Sequence, residues 1–307
     1  MIVVVCPGQG SQTPGFLAPW LAEPAFAERL AGLSEAAGVD LALHGTESDA
    51  DTIRDTAIAQ PLIVAAGILA FDALAADGRH ARLGGVAGHS VGEITAAAAA
   101  GVLADADAMR FVAERGRAMA DAAAQVATGM SAVIGADEAE LLARLDALGL
   151  EPANYNGGGQ IVVAGALDAL EQLKAEPPAG ARVIPLQVAG AFHTRYMQPA
   201  RDRLAAVASA FSPADPALTL WTNRDGSTVA SGAAFVDLLV GQVASPVRWD
   251  RCMASFADAG VTGIVELAPA GALVGLAKRA LKGVPTVAVK TPDDLPAAIE
   301  LIEQQAA

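Results

Sequence analysis

Two patterns of hydrophobic and polar positions share this 307-residue chain. Short β-branched runs predict strands at Ile2 to Cys6, Gly85 to Ala87, Leu218 to Thr222, Gly263 to Leu267 and Thr286 to Val289. Alanine-rich stretches follow them and predict helices, notably Ile94 to Ala99, Asp105 to Ala124, Ala233 to Val243, Trp249 to Ala259 and Leu273 to Leu281. That alternation belongs to a mostly parallel sheet with helices on both faces. The middle of the chain reads differently. Strands are predicted at Ser131 to Ile134, Ala153 to Asn156, Ile161 to Ala164 and Arg182 to Val188, with helices at Glu138 to Leu148 and Leu167 to Leu173. This βαββαβ order is the split βαβ of ferredoxin-like domains, and Gly157-Gly158-Gly159 suits a tight turn between its central strands. The expected architecture is α/β, with a discontinuous large domain (1-126 and 189-307) carrying a small ferredoxin-like domain at 127-188. A ligand is expected in the cleft between them.

Composition narrows the function. At 53% hydrophobic the chain can bury a large core. A formal net charge of −14, with no Lys/Arg run, disfavours nucleic acid and anionic lipid as partners. The opening MIVVVCPGQG has no positively charged region and too short an apolar run for a signal peptide or membrane span, so a cytoplasmic protein is expected. Cys6 and Cys252 lie in apolar surroundings without metal-ligand spacing and are expected to be buried free thiols, with no metal bound.

The chemistry begins at GHSVGE, Gly88 to Glu93. Gly88-x-Ser90-x-Gly92 matches the nucleophile elbow, a sharp strand-to-helix turn that exposes the serine hydroxyl. The match alone is weak, but here it follows an apolar run and opens a helix, and the helix N-terminus favours negative charge beside the serine. A serine needs a base, and there are four histidines. His89 should point away from Ser90 and serve packing or hydrogen bonding. His44 and His80 lie in polar, turn-like stretches and are expected to be solvated. His193, in a loop after the last strand of the small domain, is the candidate base. In the Asp105 to Ala124 helix, Arg110, Glu114, Arg117 and Asp121 are expected to form a polar, mutually paired stripe, whereas Arg115 follows Phe111 and precedes Met119 on the apolar one. A cation there calls for an anion, either a protein carboxylate or a ligand carboxylate. Gln9, in PGQGSQ, could serve an oxyanion, and Gln242 sits at a helix end whose carbonyls could orient an imidazole.

Taken in order, PGQGSQ, GHSVGE, ERGRAM, NYNGGGQIVVAG, AFH, GQVASPVRW and ELAPAGALVGLAKR resemble the malonyl-CoA:acyl carrier protein transacylase family over nearly the whole chain. The resemblance implies an α/β-hydrolase-like core with a ferredoxin-like insertion. It implies a ping-pong transfer of malonyl from malonyl-CoA to the phosphopantetheine thiol of acyl carrier protein, for fatty acid or polyketide synthesis. Ser90 would be the nucleophile, His193 the base and Arg115 the clamp on the malonyl carboxylate. The Gln242 carbonyl would orient His193, and Gln9 and Val91 would supply oxyanion N–H groups. Phe192 resembles the form found in malonyl-selective domains. No cofactor is implied, coenzyme A thioester being substrate, and a monomer is expected. The chain departs from the pattern at Val91, where leucine is common, and at Ala270, where glycine is usual. Positive residues that would meet an acidic carrier protein are Arg195, Arg201 and Arg203, and Lys278, Arg279 and Lys282, each set equally readable as a solvated helix face. Three rivals remain at this stage: a serine hydrolase with water as acceptor, a silent carrier-binding scaffold, and a dinucleotide site at PGQGSQ that lacks the third spaced glycine.

Overall fold

The computed structural model describes residues 1 to 304. Nine strands occur among them: β1 (Ile2–Cys6), β2 (Leu83–Gly88), β3 (Thr128–Ile134), β4 (Glu151–Gly157), β5 (Gln160–Ala166), β6 (Arg182–Pro185), β7 (Thr219–Leu220), β8 (Gly263–Glu266) and β9 (Thr286–Ala288). They form two sheets. The larger is parallel, ordered β7-β2-β1-β8-β9, and the smaller is antiparallel, ordered β4-β5-β3-β6.

β1 lies at the centre of the larger sheet and all five of its residues are buried. Its side chains alternate between faces: Ile2, Val4 and Cys6 join one core, while Val3 and Val5 join another built on Trp221, Trp249 and Phe256. A strand covered by helices on both sides must be apolar at every position, which is why IVVVC reads as a continuous run. Both cysteines are buried and unbridged, as expected.

The first core is filled by the Thr56–Ala75 helix against the Asp105–Gln125 helix. Thr56–Ala75 is apolar on every side, with a mean hydropathy of 1.9 over 18 residues, and is long enough to cross a membrane; 78% of that window is buried inside the protein. It is absent from the predicted elements because a helix surrounded by protein has no polar face and so no 3.6-residue contrast. Asp55 caps it by accepting from the Ala57 N–H at 2.8 Å.

In the smaller sheet the helices Glu138–Leu148 and Leu167–Ala175 cover one face. The hairpin between β4 and β5 turns through Gly157, Gly158 and Gly159, with φ of +74°, +59° and +75°, a left-handed path that side chains disfavour. Edge strand β4 is stitched to the larger unit by two main-chain hydrogen bonds, from Tyr155 N–H to Val247 O at 2.8 Å and from Val247 N–H to Ala153 O at 2.9 Å. β6 ends at Pro185, three residues earlier than predicted, and Leu186 and Val188 turn toward the space between the sheets.

Two charge assignments change. The polar stripe is not closed on itself: Arg117 reaches Glu114 at 3.2 Å, but Arg110 pairs with Asp107, and Arg203 from the Gln198–Ala208 helix bridges Glu114 and Asp121. Arg203 is thereby drawn away from any free positive patch, as is Arg195, which pairs with Glu151. His44 and His80 are half-buried rather than solvated, one bonded to Ser48 Oγ at 2.9 Å and the other edge-on to Phe71.

Candidate active site

The loops at the carboxyl ends of β1, β2 and β7 meet on one side of the parallel sheet, where a sheet of this kind presents its ligands. β2 ends in the elbow. Gly88 and Gly92 are dictated by backbone contact: a Cβ on Gly88 would lie 2.0 Å from the Gly92 carbonyl carbon, and one on Gly92 would lie 2.1 Å from Cys6 O. Between them Ser90 is held at φ +54°, a left-handed conformation costing a side-chain-bearing residue about 1–2 kcal/mol. The turn is fastened by His89 N–H to Cys6 O at 2.9 Å and by Ser90 N–H to Asn223 Oδ1 at 2.8 Å. The helix Gly92–Ala99 starts immediately afterwards.

His193 arrives from 103 residues away. Its Nε2 lies 2.7 Å from Ser90 Oγ, and its Nδ1 lies 2.9 Å from the main-chain oxygen of Gln242. A carbonyl can only accept, so Nδ1 carries the proton and Nε2 is left to take one from the serine. His193 is itself left-handed at φ +63°, fixed by its N–H to Val243 O at 3.2 Å. It is 3% exposed, and burial together with the Arg115 cation pulls its pKa down to about 3, so the ring is neutral at pH 7.

Arg115 is 1% exposed. Its Nη1 donates to Gln60 Oε1 at 2.7 Å, and its Nη2 to Gln242 Oε1 at 2.8 Å and toward Ser90 Oγ at 3.4 Å. The first oxygens it meets are therefore amides and the serine, with Glu93 acting through space. Burial lowers its pKa to about 10, still charged at neutral pH. The cation that the apolar stripe exposed as misplaced thus points at the Ser90 hydroxyl.

A cavity of about 470 Å³ opens between the two sheets over this centre. Ser90, His193, Phe192, Gln9 and Val91 border it from the larger unit, and Met130, Ala132, Asn154, Asn156 and Val162 from the smaller. Gln9 and Val91 lie beside Ser90, and their main-chain N–H groups donate to no acceptor among the described residues. Gln9 Nε2 donates to Arg54 O at 3.2 Å. His89 turns from the serine, as expected, to meet Asn156 Oδ1 at 2.9 Å and the edge of Trp249. Arg279 reaches the cavity rim. Ala270 has φ +53°, which accounts for glycine being usual there.

Four side chains escaped the sequence reading: Glu93, Asn223, Gln60 and Asn156. Glu93 stood inside GHSVGE but carried no obvious chemistry, and Gln60 was a lone polar residue in an apolar run, a signal of the same kind as Arg115. Asn156 likewise stood inside NYNGGGQIVVAG without obvious chemistry, and Asn223 offered no signal.

A neutral imidazole on a strained elbow serine, with a buried cation beside it, defines an α/β enzyme of the serine acyl-transfer class. The acyl transferase domain family matches residues 3–294. The malonyl CoA-acyl carrier protein transacylase of Mycobacterium tuberculosis is 56% identical over 299 residues, covering 96% of this chain and 98% of that protein. The crystal structure of MCAT from Mycobacterium tuberculosis superposes with a TM-score of 0.94 at 55% identity, covering 97% and 99% of the two chains. A type II PKS acyl-carrier protein in complex with its malonyl-transacylase provides a further match, with a TM-score of 0.91 at 32% identity over 98% and 99%. This chain belongs to the acyl transferase family, among the malonyl CoA-acyl carrier protein transacylases.

Proposed function

We propose that the protein transfers malonyl from malonyl-CoA to the phosphopantetheine thiol of an acyl carrier protein. The observation that carries this reading is Arg115 Nη2 lying 3.4 Å from a serine hydroxyl that is itself 2.7 Å from an unprotonated imidazole nitrogen. A nucleophile beside a buried cation suits an acyl group bearing its own carboxylate.

Ser90 Oγ attacks the thioester carbonyl while His193 Nε2 takes its proton. The carbonyl oxygen becomes an oxyanion facing the N–H groups of Gln9 and Val91 at the start of the Gly92–Ala99 helix. The C–S bond breaks, His193 returns the proton to the leaving sulfur, and malonyl remains esterified to Ser90. The carrier thiol then gives its proton to His193 and attacks the ester, and Ser90 recovers the proton as it leaves. Gln242 O holds the imidazole in the required tautomer throughout. No step calls for a cofactor, and the chemistry is that of a cytoplasmic lipid or polyketide pathway. Arg115 clamps the malonyl carboxylate; acetyl would leave the cation without an anion. Phe192, 6% exposed at the cavity wall, restricts branching next to the carbonyl. In this reading residues 127-188 form a roof over a floor made by 1-126 and 189-307, and the protein acts as a monomer.

Radiolabelled malonyl-CoA tests the reading: the protein should acquire label that an added acyl carrier protein removes, and Ser90→Ala should acquire none. Release of free malonate at the same rate without carrier would instead show a hydrolase.

A further inference from the structure

Glu93 is not part of the reaction described above, yet it is 1% exposed at the heart of the site. It lies in the first turn of the Gly92–Ala99 helix, three residues after Ser90, where the helix N-terminus stabilises an acid. Its two oxygens meet different donors. Oε1 accepts from the Asn223 main-chain N–H at 2.5 Å, and Oε2 accepts from Gln242 Nε2. Each partner reaches a functional atom. Asn223 accepts the Ser90 N–H at 2.8 Å and donates to Gly88 O at 2.6 Å, so it fastens the elbow from both sides. Gln242 presents its main-chain oxygen to His193, its side-chain oxygen to Arg115 and its side-chain nitrogen to Ser90 O at 3.1 Å.

From this arrangement we infer that Glu93 is a positioning residue for the reaction, a single carboxylate that ties the serine elbow to the histidine's acceptor and to the arginine. The physical requirement is polarity. Both partners present N–H groups, and a carboxylate accepts at both ends, whereas a carboxamide of the same shape offers one acceptor and one donor. In Glu93→Gln one of the two junctions faces N–H against N–H, and the residue that gives way carries either Ser90 or His193 with it. The Glu93 charge also balances Arg115, the one buried cation of the centre. Burial raises the Glu93 pKa, while the donors from Asn223 and Thr222, Arg115 and Gln242 oppose that rise; with N–H groups against both oxygens, the carboxylate is the form that this geometry satisfies.

The inference concerns the alignment of Ser90 and His193, and its test is independent of the acyl donor. Phenylmethanesulfonyl fluoride, small and uncharged, reports that alignment: Ser90 Oγ bonds to sulfur, fluoride leaves and His193 takes the hydroxyl proton. Glu93→Gln should be sulfonylated about tenfold or more slowly than the unaltered protein, because sub-ångström misplacement of a reacting group is costly. In the Ser90→Ala background it should change the Kd for coenzyme A, which lacks the carboxylate that Arg115 holds, by less than threefold. An unchanged labelling rate in Glu93→Gln would overturn the inference. So would a rate falling only with the folded fraction measured by circular dichroism. If labelling responds as stated but no malonyl adduct forms in any variant, the positioning role stands and the proposed acyl donor falls.

Discussion

The floor and the roof of the cavity are built from opposite materials. The floor is a buried polar network in which Ser90, His193, Arg115, Gln242, Glu93 and Asn223 each hold at least one neighbour by a hydrogen bond. The roof is mostly apolar wall from β3 and β5, with Met130, Ala132 and Val162, and a side-chain link down to the floor through Asn156 and His89. A buried polar network is worth having only when every member is satisfied, so the floor tolerates no substitution quietly. An apolar wall selects by volume and exclusion, and one methylene there is worth about 1–3 kcal/mol. The difference places chemistry on the floor and shape selection under the roof.

The comparison breaks most visibly at the floor's centre. Ser90→Ala and His193→Ala should each lower malonyl transfer on the order of 10⁴-fold, and the double variant little further, because residues acting as a unit are not additive. Transfer rates from single and double variants check this; independent losses would mean that the 2.7 Å contact has no role in turnover. Arg115→Ala should reduce malonyl loading by about 100-fold or more, the cost of removing one partner of a buried charge pair, while leaving acetyl loading equal or improved. Paired labelling with the two coenzyme A thioesters decides it, and equal losses would remove the clamp.

The pH profile sharpens the same contrast. A cation beside an imidazole disfavours its protonated form, so His193 stays neutral well below the ordinary histidine range, down to about pH 3. The acid limb of kcat/KM should therefore lie well under 6.5. Removing Arg115 takes away the largest cause after burial and should move that limb upward. Sulfonylation rate against pH in the two proteins reads the shift, and a limb moving down would contradict the assigned geometry. The smallest effect belongs to the roof. Asn156→Ala removes one link outside the reacting atoms and should raise KM for malonyl-CoA by about two- to fivefold with kcat nearly unchanged, consistent with a hydrogen bond worth about 1 kcal/mol. A large loss of kcat would show that the roof holds His89, and through it the elbow, in place.

The positive residues near the site teach a related point. Arg195, Arg201 and Arg203 are neighbours along one stretch, yet two of them are consumed by Glu151, Glu114 and Asp121. Arg279, from the closing motif, reaches the cavity rim. Spacing along a chain counts charges without subtracting those that long-range partners cancel.

What the sequence by itself determined is whatever depends on near neighbours. The strand before the serine, the glycines around it and the helix after it are local packing requirements, so GHSVGE announced the elbow before any coordinates. Period-two and period-3.6 patterns likewise announced both sheets and most helices, with Arg115 visible as an ion on an apolar stripe. The Thr56–Ala75 helix stayed hidden because complete burial erases the contrast that marks a helix. Only the tertiary structure decided that His193 meets Ser90, that a main-chain oxygen of Gln242 replaces an acid in orienting it, and that Glu93 faces inward to Asn223 and Gln242. Those contacts join residues 49 to 149 positions apart, and no local preference encodes them: they exist because the hydrophobic faces of two sheets and their helices pack in one way, carrying the polar groups to a common point.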